Sequence, residues 1–97
     1  MNDSLETIKN LAATCDRLTR KAELLYAEAV NAVIEGQSRD SRSIERLLDG
    51  LLDFCFDAAI LLLYRKLCRY YFGIDPNATV GYVNAYREMW DSEESEE

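Results

Sequence analysis

The chain contains no histidine, and this absence removes more chemistry than any other. Without an imidazole there is no Ser-His-Asp or Cys-His catalytic arrangement. The usual zinc and di-iron sites of helical proteins are excluded too, as is a side chain that changes charge near neutral pH. Cysteine is scarce. Cys15, Cys55 and Cys68 form no pair at metal-binding or redox spacing, and an odd count without framework spacing points to reduced, buried thiols. On one helix Cys55 and Cys68 would stand about 20 Å apart, too far for a disulfide. The four glycines form no phosphate-cradling loop. Met1–Lys9 lacks the apolar core of a signal peptide, so cytoplasmic residence is the expectation and Asn77-Ala78-Thr79 is an accidental glycosylation triplet. No run approaches the roughly 20 apolar residues of a membrane span.

What is present is a folded composition. Hydrophobic residues make up 48% of the chain, with six Tyr, three Phe and one Trp among them. Its 97 residues suit one domain with a small core. The net charge of -7 is unevenly placed: five of the eighteen acids lie in Asp91–Glu97, leaving 13 acids against 11 bases elsewhere. The body is nearly neutral, and residues 91–97 (DSEESEE) read as a disordered acidic tail.

Residues 44–72, IERLLDGLLDFCFDAAILLLYRKLCRYYF, are the organising stretch and read as one helix. A wide face collects Ile44, Leu48, Leu51, Leu52, Cys55, Phe56, Ala59, Leu62, Leu63 and Tyr70. A second face carries Leu47, Gly50, Phe54, Asp57, Leu61, Tyr64, Arg65, Cys68 and Phe72. Between Ala58 and Tyr64 no polar face remains, and a helix apolar all round must be covered all round. Acids (Glu45, Asp49, Asp53, Asp57) fill the first half and bases (Arg65, Lys66, Arg69) the second. Helix-dipole complementarity favours that order. So does antiparallel self-pairing about a two-fold near Leu61, which would set Asp57 opposite Arg65 and Asp53 opposite Arg69 of a mate. The second face is therefore the candidate self-association face.

The flanking segments supply the rest of the fold. Asp3 and Glu6 form a capping-box-like start to a helix over about 4–35. Its apolar residues alternate by three and four (Ile8, Leu11, Cys15, Leu18, Ala22, Leu25, Ala29, Ala32) as in a coiled-coil seam. Gly36 is the expected stop. The apolar-free loop 36–43 leads into a helix over about 43–72, for which Asp40, Ser41 or Ser43 could serve as cap. Gly50 reads as a close-contact position. Gly73 and Ile74 suggest a Schellman-type stop, and Asp75-Pro76 opens a short helix to about residue 90.

Two patterns carry candidate chemistry. Glu45, Asp49, Asp53 and Asp57 stand four apart, a spacing that places neighbouring carboxylates on one helical face for magnesium. The arrangement resembles that of all-helical nucleotide pyrophosphohydrolases of the MazG type, and the resemblance implies a metal-dependent phosphohydrolase. Those enzymes also carry a paired acidic motif on a preceding helix, whose spacing Glu23, Glu28 and Glu35 do not repeat. Residues 64–71 (YRKLCRYY) interleave bases with aromatics, as nucleic-acid binders do, although three bases near a helix end are also ordinary dipole partners.

The expected molecule is an all-α domain spanning residues 1–90, a long antiparallel hairpin plus a short third helix, completing a larger bundle by homodimerisation. Its expected role is non-catalytic: a helical protein-protein interaction or regulatory module, with no cofactor, no metal and no catalytic residue. The alternatives are a nucleic-acid-linked role, through the acidic tail or residues 64–71, and more distantly the phosphohydrolase.

Overall fold

A computed structural model of the protein describes residues 3–90, with side chains at 7, 9–11, 13, 14 and from 16 onward. The Asp3–Glu6 cap and the acidic tail of 91–97 lie outside the described residues and side chains. Among those described, the chain is all-helical: α1 (Asp3–Glu35), α2 (Ser41–Leu52), α3 (Ala58–Phe72) and α4 (Pro76–Trp90).

The single helix expected over 43–72 is therefore corrected to two. Residues 53–57 (DFCFD) form a tight turn, in which the Phe54, Cys55 and Asp57 amides donate three residues back, to Leu51, Leu52 and Phe54. Neither glycine nor proline makes this break. Asp, Phe and Cys are middling helix formers, and Asp57 supplies what a new helix needs. Its backbone is extended (φ -96, ψ 129) and its carboxylate accepts from the Ala59 and Ile60 amides at 3.1 and 3.2 Å, an N-cap. The same carboxylate pairs with Arg20 of α1, which also reaches Glu23.

The turn sends α3 back along α2. Tyr71 Oη donates to Glu45 Oε2 at 2.5 Å, although a straight helix would hold these residues about 39 Å apart. The apolar stripes now face each other: Ile44, Leu48, Leu51 and Leu52 on α2, and Ile60, Tyr64, Leu67, Cys68 and Tyr71 on α3. Helix α3 is central and packs on the other three. Side-chain hydrogen bonds fix the arrangement. Lys66 donates to Asn31 Oδ1 (2.9 Å), Tyr70 to the Ser38 carbonyl (2.6 Å) and Tyr64 to the Tyr82 carbonyl (2.7 Å). The Trp90 indole donates to the Leu52 carbonyl at 2.8 Å, a second bond for an oxygen at the end of α2 that the Cys55 amide reaches only at 3.4 Å.

The ends of α1 and α3 also differ from expectation. Gln37, not Gly36, takes the left-handed conformation (φ 54). The Ser38 amide bonds to the Val33 carbonyl and the Gln37 amide to that of Ile34, so the Schellman motif lies one residue beyond the glycine. Gly73 is right-handed (φ -71), and α3 ends in a turn whose Ile74 and Asp75 amides share the Tyr71 carbonyl. Asp40 occupies the N-cap position of α2, but its side chain accepts from Ser43 Oγ rather than from the backbone. Asp75 caps α4 through the Ala78 amide.

The face α1 uses is not the seam of threes and fours. Thr19, Tyr26, Val30, Val33 and Ile34 meet the body, joined from the seam by the small Ala22, whereas Leu11, Leu18 and Leu25, about 100° round the helix, stay exposed. Bulk decides this. Near the body the seam offers Ala22, Ala29 and Ala32, while the neighbouring stripe offers Tyr26, Val30 and Val33.

Asp57→Ala removes an N-cap and an inter-helix ion pair together, so it should cost about 1–2 kcal/mol. Asp57→Asn keeps the cap and should cost visibly less. Urea denaturation measures both, and equal losses would show that capping contributes nothing.

Candidate functional site

The nine residues of the expected self-association face do not form one surface. Leu47 and Phe54 pack against the core. Gly50 lies so close to Tyr26 of α1 that an added Cβ would sit 2.3 Å from its hydroxyl oxygen, which makes it the close-contact position its sequence context suggested. Asp57 is occupied as the α3 cap. Tyr64 (3% exposed) and Cys68 are buried, Leu61 is half-buried, and only Arg65 and Phe72 are exposed. The Asp57–Arg65 and Asp53–Arg69 register required one straight rod through all four residues, and the turn at 53–57 removes that rod.

The same turn disperses the carboxylates. Glu45 accepts from Tyr71, Asp53 is in the turn and Asp57 is capping. No group of three potential metal ligands stands together among the described residues. In the basic-aromatic segment, Tyr64 and Tyr71 are buried and the Tyr70 hydroxyl is held by Ser38, so these rings are not free platforms for base stacking.

The structure instead presents two surfaces. The first is the outer face of α1. Its 33 residues span about 50 Å, close to the longest dimension of the molecule, 56 Å. Among the described side chains of α1, Thr19 is the first that is buried. Leu11, Leu18 and Leu25 are 60%, 59% and 63% exposed. Seven-residue spacing places them in a nearly straight line, with Leu24 alongside and also exposed. The side chains of Ile8 and Cys15, the remaining large members of the seam, lie outside those described.

The second surface is a groove of about 570 Å³ between α3 and α4, with Tyr64, Cys68 and Tyr86 in its lining. The Tyr64 and Tyr86 rings lie 6.2 Å apart. Arg65 and Arg69 of α3 and Arg87 of α4 line it as well, and no acidic residue does among the described residues. Sequence reasoning found Arg65 and Arg69 but missed Arg87. Only the antiparallel packing of α4 on α3 brings it to them.

The chain matches no family model, no curated protein and no solved structure. Among the described residues no helix is long and apolar enough to cross a membrane.

Burial sets the titration behaviour of the core. Cys55 and Cys68 are free, buried thiols, and desolvation pushes them up to about 12 and about 11. Cys55 also feels the charge of Cys68, so the wide separation expected on one helix is not kept. Desolvation likewise raises Tyr64 and Tyr82 above the usual phenol range. In each case the folded state favours the neutral form. The resulting stability is complete below pH 9, where these groups are neutral in the unfolded chain too. It falls as pH rises from there towards about 12, because the unfolded chain releases these protons first. Alkaline titration should therefore unfold the protein, with loss of helical circular dichroism coinciding with the last tyrosinate absorbance. Helicity unchanged through pH 12 would contradict the assignment.

Proposed function

We propose that this chain is a non-catalytic helical interaction module that self-associates through the outer face of α1. The observation that carries the reading is the row Leu11–Leu18–Leu25. Three leucines in line, each more than half exposed, form a seam of coiled-coil spacing that the chain's own helices leave bare.

Charge favours a second copy in antiparallel order. From Asp3 to Lys21 the helix carries four bases (Lys9, Arg17, Arg20, Lys21) against three acids (Asp3, Glu6, Asp16). From Ala22 to Glu35 it carries Glu23, Glu28 and Glu35 and no base. Antiparallel pairing lays the nearly neutral half of each α1 along the acidic half of the other, where a parallel pair would set the two acidic halves together. It also sets the two bodies, each packed on a C-terminal half, at opposite ends, where a parallel pair would press them together. The leucines then meet the mate's small positions, Ala29 among them. Such a contact is isologous, the commonest form of oligomer interface. The metal-dependent phosphohydrolase reading has no group of three potential metal ligands among the described residues to support it.

Because these leucines contact little within one chain, the interface can be broken without breaking the fold. Sedimentation equilibrium should give twice the 11.1 kDa chain mass for the wild type and a monomer for Leu18→Glu/Leu25→Glu with unchanged helicity. A monomeric wild type, or a double variant that keeps the doubled mass, would overturn the proposal.

A further inference from the structure

We infer that the groove between α3 and α4 is a binding site for a carboxylate-rich peptide segment, and that its resident occupant is the chain's own sequence 91–97. This rests on the arginine groove and is independent of the α1 interface. Arg65, Arg69 and Arg87 converge on one groove in a chain of net charge -7. None of the three has a hydrogen-bond or ion-pair partner among the described residues. A guanidinium pairs with a carboxylate through two parallel hydrogen bonds, and the half-buried Tyr86 ring gives the groove a wall against which a backbone can lie.

The occupant is argued from reach and charge. The point from which residues 91–97 depart is fixed: Trp90 donates to the Leu52 carbonyl and its ring meets that of Phe56. Arg87 lies one helical turn before it. From Leu61 to Arg69 the groove follows α3 for about 12 Å, and seven extended residues reach about 24 Å. The segment is long enough to turn back past all three arginines. It carries five acids, Asp91, Glu93, Glu94, Glu96 and Glu97, and no base. It also leaves from the C-terminal, negative pole of α4, where carboxylates are disfavoured, so the nearest bases draw it into the groove. Tethering supplies an effective concentration of order millimolar, enough for weak ion pairs to hold it and for a tighter acidic partner to displace it.

The test uses the full-length chain and a full-length variant with a neutral tail, Glu93→Gln/Glu94→Gln/Glu96→Gln/Glu97→Gln. The amide resonances of Arg65, Arg69, Val83 and Arg87 should differ between the two, and high salt should move the wild type towards the variant. A synthetic peptide, Asp-Ser-Glu-Glu-Ser-Glu-Glu, should bind the variant at least tenfold more tightly than the wild type, and Arg65→Gln/Arg69→Gln in the variant background should abolish that binding. Superimposable resonances, equal peptide affinity for both chains or no peptide binding would overturn the inference. So would resonance differences that fade on dilution, which would assign the tail to a second copy, or an oligonucleotide binding both chains equally, which would give the groove to another anion.

Discussion

The carboxylate of Asp57 accepts the first free amides of α3 and pairs with Arg20 of α1. Much of the structure follows from that junction. It starts α3 at a defined residue, ties that start to the long helix and directs α3 back along α2. The constraint it answers comes from the apolar residues around it. A helix greasy on every side must be shielded on every side, and this chain meets the demand by folding the stretch in half, so that each half covers the other.

Much of this was legible in the residues. Helical class follows from the spacing, α1 ends where the apolar alternation ends, and Asp75-Pro76 marks the start of α4. The break at 53–57 was also written there, though in phase rather than in punctuation. Ile44, Leu48, Leu51 and Leu52 define one stripe, and Ile60, Tyr64, Leu67, Cys68 and Tyr71 define another. Sixteen residues separate Ile44 from Ile60, so at about 100° each the second stripe is turned by about 160° from the first. On one continuous helix the two sum to an apolar circumference. On two antiparallel helices they are facing halves of one core. Without glycine or proline at the junction, local signals gave no reason to prefer the second reading. The charge order had the same double meaning: Asp57 lay too far inside a long helix for the dipole to explain it, yet it lies at the end of a short one.

The consequence for function is a change of surface. Residues that a straight helix would have offered to a mate (Leu47, Phe54, Tyr64, Cys68) are spent within the chain, and Gly50 makes room for Tyr26. An aligned row of exposed leucines is left on the outer side of α1, where the bulk of Tyr26, Val30 and Val33 claims the neighbouring stripe. Helix α4, packed on α3, adds a basic groove that no single segment of the sequence contains, because Arg87 joins Arg65 and Arg69 only through tertiary structure.

The folded-back centre is tested most directly by a distance within one chain. Spin labels at the exposed positions Arg46 and Phe72, measured by pulsed dipolar spectroscopy in magnetically diluted samples, report whether α2 and α3 lie side by side. Packed helices stand 8–10 Å apart axis to axis, so the fold-back predicts a label separation below about 20 Å. A separation near 40 Å, the length of a continuous helix between those residues, would contradict it.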